Sequence, residues 1–361
     1  MSRQRGFSLL EVTIAMAIMM TVVGGVFTLL NPAHGSFAME PEVADLQQRL
    51  RVAQDTLYRD LVMAGAGAYL GGQTGSLLHY LPPVLPFRHG AVGGAPVGSF
   101  ARPDVPDFPA DATDTITVIY VPSTTAQTTL AEQVTGGAGS TMALKVNGET
   151  NCPRNPDRSV QELCGFDKGM TILIFDGTGN YDTFTITSVN DATANIVVNR
   201  PPDAFQTTFP AGSKVVQALS RTYYLKRDTY QLMYYDGSTR PDVPVVDNVV
   251  DLSFEYWGDP NPPTPPGGSN PHALVKLTEA LLTDGSTGWC PTSVNPNRYS
   301  PNLFRIRKVV VNLRVQAALA SMRGPASALF RVGGASTSAI KWIPDQQVRF
   351  EVAPRNMNLG R

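Results

Sequence analysis

Residues 1–30 read MSRQRGFSLLEVTIAMAIMMTVVGGVFTLL. Arg3 and Arg5 precede Gly6, and Glu11 is the only charge among the 24 residues from Phe7 to Leu30. As a helix rising 1.5 Å per residue, this run reaches about 36 Å, enough to cross a hydrocarbon core of about 30 Å. A cleavable secretory signal has a shorter apolar core followed by a small-x-small site. Here the run is longer and carries a charge near its start. The excess of positive charge at Arg3 and Arg5 places the N-terminus in the cytoplasm, so the rest of the chain is expected to be exported on a single pass. A carboxylate inside such a segment is costly, and residues of this kind usually have a functional partner.

The order of basic residues, Gly6, Phe7-Ser8-Leu9-Leu10-Glu11 and an unbroken apolar run resembles the class III signal of type IV pilins and type II secretion pseudopilins. The resemblance implies that a membrane aspartyl peptidase cuts on the cytoplasmic side between Gly6 and Phe7. It further implies that Phe7 becomes an N-methylated terminus and that Glu11 occupies the acidic position of the family. Cleavage leaves a positively charged secondary amine at Phe7, and an ionised carboxylate four residues on can pair with it, within the chain or on a neighbour. Breaking one member of a buried pair costs about 3–5 kcal/mol, so this pair would favour axial register in a filament.

Asn31-Pro32 interrupts the apolar run. Proline lacks an N–H and crowds the preceding turn, which predicts a kink or short break near residues 31–38. Beyond it, Val43, Leu46, Leu50, Ala53, Leu57, Leu61 and Ala64 recur at spacings of three and four and form one apolar stripe. Glu40, Glu42 and Asp45 lie in its first turns, where negative charge suits the helix dipole. Asp45/Arg49 and Asp55/Arg59 are i, i+4 pairs on the wet side. The helix is expected to end in Met63-Ala64-Gly65-Ala66-Gly67-Ala68. A phosphate-binding glycine loop would follow a strand and open a helix, whereas these glycines follow a helix.

The remainder reads as β-structure. Residues 70–113 are rich in Gly and Pro and are expected to form a long loop over the domain. Thr115–Val121 is the first strong strand by its β-branched alternation. Residues 123–165, polar and glycine-rich, look like an insertion. Met170–Asp176, Asp182–Asn190 and Ala194–Asn199 read as an antiparallel meander with turns at Asp176-Gly177 and Asn190-Asp191. Ser220–Leu225, Tyr230–Tyr235 and Val245–Trp257 continue it, with turns at Arg227-Asp228 and Asp236-Gly237. Gly258–His272 is a Pro/Gly loop and Ala273–Leu282 a short helix. Ile306–Val315 and Gln347–Ala353 are the closing strands.

The expected fold is therefore α+β: a type IV pilin fold, with a long N-terminal helix, membrane-spanning and then amphipathic, packed on an antiparallel sheet domain. Its parts are a leader at 1–6, a membrane and assembly helix at 7–30, its amphipathic continuation at 31–69, a loop at 70–114 and a β-rich domain at 115–361, with the insertion at about 123–165.

Composition narrows the chemistry. A net charge of −1 over 361 residues leaves no electrostatic footprint for nucleic acid. Gly 32 and Pro 29 argue for turns and loops over a helical bundle. Of three cysteines, Cys152 and Cys164 lack Cys-x-x-Cys spacing. Outside the cytoplasm they are the candidate disulfide, worth up to about 3 kcal/mol by chain entropy. Pairings through Cys290 and an all-thiol chain stay open. Asp176, Asn180 and Asp182 cluster oxygen ligands as a calcium candidate, but lack the downstream Glu of an EF-hand, and a β-turn explains them equally. The four histidines show no metal spacing, and no G-x-S-x-G elbow occurs. No catalytic residue and no cofactor are expected. Tyr223, Tyr224, Tyr230, Tyr234 and Tyr235 are read as cross-strand packing, with a partner-contact surface as the other reading.

RLRVAQDTLYRDLVMAGAGAY, the strands from Arg221, Gln231 and Val249, and the closing VRFEVAPRNMNL resemble PilW-type minor pilins and the related minor pseudopilin GspJ. The resemblance implies a minor pilin of the complex that starts or caps a type IV pilus. Its partners would be other minor and major pilins, the prepilin peptidase and methyltransferase, the pilus assembly platform and the inner membrane. It would wait in the bacterial inner membrane with the C-terminal domain in the periplasm, then move to the pilus tip; a large, loop-rich chain is too bulky to repeat along a thin filament. A type II secretion pseudopilin is the alternative. A tip adhesin or DNA-uptake module and an anchored periplasmic enzyme are the remaining ones.

Overall fold

The helix α1 (Leu9–Met63) carries the chain through 55 residues. In this computed structural model the described residues are 8–67, 82–88, 115–122, 124, 126–135, 141–148, 163, 165–176, 181–199, 208–237, 241–261, 273–282 and 301–357. The break expected at residues 31–38 is absent: α1 runs through Asn31-Pro32 without interruption. An interior proline removes one ladder hydrogen bond and costs about 3 kcal/mol, which weakens a helix locally but need not end one that continues for several turns on both sides. The stripe is as the spacing predicts, with Leu46, Ala53, Leu57, Leu61 and Ala64 buried. Termination is as expected too: Gly65 takes a left-handed φ of 72° and its N–H turns to Ile119 O at 3.0 Å.

The chain divides into two compact units. One comprises Met1–Arg51 and Val315–Gln346, the other Val52–Arg314 and Gln347–Arg361. The larger holds the sheets. Its five-stranded sheet has the order β1 (Val84–Leu85), β2 (Thr115–Tyr120), β11 (Leu219–Lys226), β12 (Gln231–Tyr235), β13 (Val243–Asp247), antiparallel throughout. β1 corrects the reading of residues 70–113 as loop alone. Between Pro83 and Pro86 two apolar residues pair with Val118 and Thr117 and are fully buried.

The six-stranded sheet runs β3 (Gln127–Thr129), β10 (Lys214–Gln217), β6 (Thr171–Phe175), β7 (Tyr181–Asn190), β8 (Asn195–Asn199), β5 (Thr141–Lys145), also antiparallel. The expected meander is its centre. The stretch read as an insertion supplies both of its edges, β3 and β5, so its described residues take part in the sheet. Leu130, Met142, Leu144 and Val146 from that stretch pack with Ile172, Phe184, Ile196 and Val198 in one cluster. A two-stranded ribbon pairs β4 (Val134–Thr135) with β9 (Thr208–Phe209).

The four-stranded sheet has the order β15 (Val275–Leu277), β14 (Val249–Gly258), β16 (Ile306–Val315), β17 (Gln346–Val352). The single strand expected over Val245–Trp257 is two. Asn248, at φ 62°, turns the chain out of one sheet and into another, a conformation that asparagine tolerates better than most residues. The short helix expected at Ala273–Leu282 is half strand: β15 occupies its first part and α2 (Glu279–Leu282) its last turn.

Candidate functional site

The described chain begins at Ser8, so Arg3, Arg5, Gly6 and Phe7 lie outside the described residues. Ser8 and Glu11 form a reciprocal cap. The Ser8 N–H donates to Glu11 Oε2 at 2.9 Å, and Ser8 Oγ accepts from the Glu11 N–H at 3.2 Å. This is the capping-box pattern, Ser-x-x-Glu, which satisfies backbone donors that the first turn of any helix leaves open. It was legible as Ser8-Leu-Leu-Glu11, yet the sequence reading gave Glu11 only its charge role.

From Leu9 to Phe27 the helix is long and apolar enough to cross a membrane, and none of that window is buried. Leu9, Leu10, Met16, Ile18, Met20 and Phe27 are all exposed. The hydroxyls within it are satisfied locally, Thr13 on Leu10 O and Thr21 on Ala17 O, both at 2.9 Å. A segment with internally satisfied polar groups and an uncovered apolar surface is suited to a lipid or helical surround.

At the other end α1 is latched to the five-stranded sheet by a carboxylate. Asp60, only 1% exposed, lies three residues after Leu57 on the buried stripe. Arg221 Nη1 reaches both of its oxygens at 2.9 and 3.0 Å. The Tyr223 hydroxyl donates at 2.5 Å and the Tyr120 hydroxyl at 3.3 Å. Burial, then the neighbouring Asp60 charge, pushes Tyr120 up to about 12 and raises Tyr223 further. Burial by itself would lower Arg221, but its hydrogen bond and charge pairing with Asp60 raise it. Strand alternation brings the sheet side of this group together. Arg221 and Tyr223 are two apart on β11, and Tyr234 faces Tyr223 across the ladder with ring centroids 5.6 Å apart.

The alternate residues of β11 and β12 build a second ionic group. Arg88 grips Asp242 through two nitrogens, at 2.6 and 3.0 Å, and lies 3.7 Å from the centroid of the Tyr235 ring. The Tyr224 hydroxyl donates to Asp242. Burial pushes Tyr235 up to about 12 and, with the Asp242 hydrogen bond, raises Tyr224. Two of the tyrosines expected as cross-strand packing, Tyr223 and Tyr224, are therefore also hydroxyl donors to carboxylates. Sequence reasoning missed Asp60, Arg221, Arg88 and Asp242. An acid on an otherwise apolar stripe was the available signal for Asp60.

Of the two helix pairs, Asp45 and Arg49 are joined as expected. Arg59 instead approaches Asp60, with Nε 3.9 Å from Oδ1. Asp176 is buried, while Asn180 and the side chain of Asp182 lie outside the described residues, as do Cys152, Cys164 and Cys290. Among the described residues no three His, Cys, Asp or Glu side chains are grouped to hold a metal.

Residues 1–27 match the family model of the prokaryotic N-terminal methylation motif. No curated protein matches the chain. The matched segment covers the Gly6-Phe7 junction, Glu11 and the whole apolar window, and it supports a type IV pilin-like protein with a membrane anchor near its N-terminus.

Proposed function

We propose that this chain is a structural subunit of a pilin-type filament, of the PilW minor-pilin kind, in the complex that starts or caps a type IV pilus. Prepilin peptidase removes residues 1–6, Phe7 is methylated, and the subunit waits in the inner membrane with its β domain on the periplasmic side. The observation that carries this reading is the match of residues 1–27 to the methylation motif on a helix whose Leu9–Phe27 surface is wholly uncovered. Such a surface packs against like helices once extracted from lipid. The Asp60 latch supports the same role, because it ties the last turns of α1 to the sheet through buried ionic bonds. A filament subunit needs a spine that does not peel from its head.

Capture of the tagged chain from native membranes, with identification of what accompanies it, tests the assignment. Major and minor pilins and the assembly platform are expected. Secretion-channel components in their place would assign it to a type II secretion system as a GspJ-like pseudopilin, which the same N-terminal motif also fits.

A further inference from the structure

Val315–Gln346 shares a compact unit with the N-terminal part of α1. Its shape rests on backbone bonds: the single-turn helix Ala320–Met322 is tied to the chain on either side of a second one, Ala339–Lys341, by Ala335 N–H to Ala320 O at 2.7 Å and Ile343 N–H to Met322 O at 2.8 Å. Phe330 and Trp342 meet edge to face at 5.6 Å, so close over Gly324 that an added Cβ would come within 2.8 Å of both rings. The Ala318 N–H donates to the buried Glu42 carboxylate, which fixes the segment to α1.

What this segment exposes is unusual for a watery surface. Leu319 and Leu329 are about half exposed and Ile340 is 87% exposed, immediately before Lys341. Of its four charges, Arg323, Arg331 and Lys341 are basic and only Asp345 is acidic. Arg323 is buried, Arg331 and Lys341 are exposed, and Asp345 is half-buried, accepting from the Arg331 N–H at 2.7 Å. Uncovered aliphatic side chains beside cations make the composition of a lipid-interface surface. The same unit contains the membrane-length window Leu9–Phe27. Glu42 follows Phe27 by 15 residues, about 22 Å along the helix. The headgroup zone extends about 6 Å beyond the hydrocarbon, and a compact segment of this length spans roughly 20 Å. Held at Glu42, the segment is within reach of the bilayer that the helix crosses.

We propose that Val315–Gln346 is a collar that rests on the anionic lipid surface before assembly, with Ile340 dipping among the headgroups and Arg331 and Lys341 on lipid phosphates. The proposal rests on the reading of Leu9–Phe27 as a membrane anchor. Its occupant is lipid rather than a second protein because net positive charge and an isolated, highly exposed isoleucine suit a fluid anionic surface. It gives the subunit a second, weak hold on the membrane that filament entry must release.

The test uses the full chain in vesicles of phosphatidylcholine with or without phosphatidylglycerol, with a photo-crosslinking p-benzoylphenylalanine placed at Ile340, at Val22 or at exposed Thr185 in turn. Illumination at position 340 is expected to give a lipid adduct whose yield rises with phosphatidylglycerol. Arg331→Gln and Lys341→Gln should each lower that yield about five-fold on anionic vesicles and leave it unchanged on neutral ones. Position 185 should give none. A lipid adduct at 22 with none at 340, or at 340 only adducts to a second copy of the chain, overturns the collar while sparing the anchor. No lipid adduct at 22 overturns the anchor and the collar with it.

Discussion

Ser8 donates its backbone N–H to Glu11 Oε2 at 2.9 Å, and the Glu11 N–H returns a bond to Ser8 Oγ at 3.2 Å. The carboxylate is thereby turned back toward the start of the helix, the side on which cleavage after Gly6 would leave the amine of Phe7. Two variants separate its roles. Glu11→Val is expected to leave cleavage intact, because the junction residues are unchanged, and to impair assembly, because the proposed counter-charge to the Phe7 amine would be lost. Ser8→Ala removes only a cap worth about 1 kcal/mol and should reduce assembly without ending it. Immunoblots of membrane and sheared-filament fractions report both steps.

The latch at Asp60 should behave as a coupled pair. Asp60→Leu leaves Arg221 among tyrosines without its carboxylate and should destabilise the β domain by about 3–5 kcal/mol. Adding Arg221→Met to it should recover most of that loss, since the uncompensated charge is then gone. Thermal unfolding of the four members of this cycle in detergent measures the coupling. An additive outcome would mean that the two residues act independently.

Tyr120 and Tyr235 are each pushed up to about 12, burial being the largest cause. A free tyrosine ionises near 10. Between those values the unfolded chain releases phenolic protons that the folded chain keeps. Fewer protons are then bound in the unfolded state, and stability must fall as pH rises from about 10 to 12. Below pH 10 these groups contribute no slope. Ultraviolet titration should show a fraction of phenols appearing only at the alkaline unfolding transition. A full phenolate signal at pH 11 in folded protein would contradict this.

Gly258, at the end of β14, runs against the strand that follows Arg305. A Cβ there would lie 1.9 Å from Arg305 O, whereas nothing stands within 4 Å of a Cβ at Gly24. Gly258→Ala should cost about 3 kcal/mol or more, as overpacking against backbone does. Gly24→Ala should leave domain stability unchanged. Melting temperatures of the two variants decide this.

The parts of the fold that alternate or recur were legible. The stripe of α1, the β2 strand, the β6–β7–β8 meander and the closing strands β16 and β17 all carry a clean period. The edge β3 was not legible, because Gln127-Thr128-Thr129 offers no apolar beat; β5 does alternate, with Met142 and Leu144 buried, but it is short and sits inside a polar, glycine-rich stretch. β1 is two residues set among prolines. Asn248 hides inside a run that reads as one strand, since only its backbone angle separates two sheets. In the candidate site, Glu11 was visible as a misplaced charge. Asp60 was not recognised, because a polar letter on an apolar stripe gains meaning only when Arg221 and Tyr223, over 160 residues away, are brought to it. Residues 315–346 have neither period, and their Ala, Ser and Gly content gives no warning of Ile340.

The N-terminal residue of the chain as it stands in native membranes tests the central claim most directly. Intact-mass and terminal-peptide mass spectrometry should find residues 1–6 gone and N-methylated Phe7 as the first residue. A chain that keeps Met1-Ser-Arg-Gln-Arg-Gly6, or one cut beyond the apolar helix, would contradict the pilin-type reading.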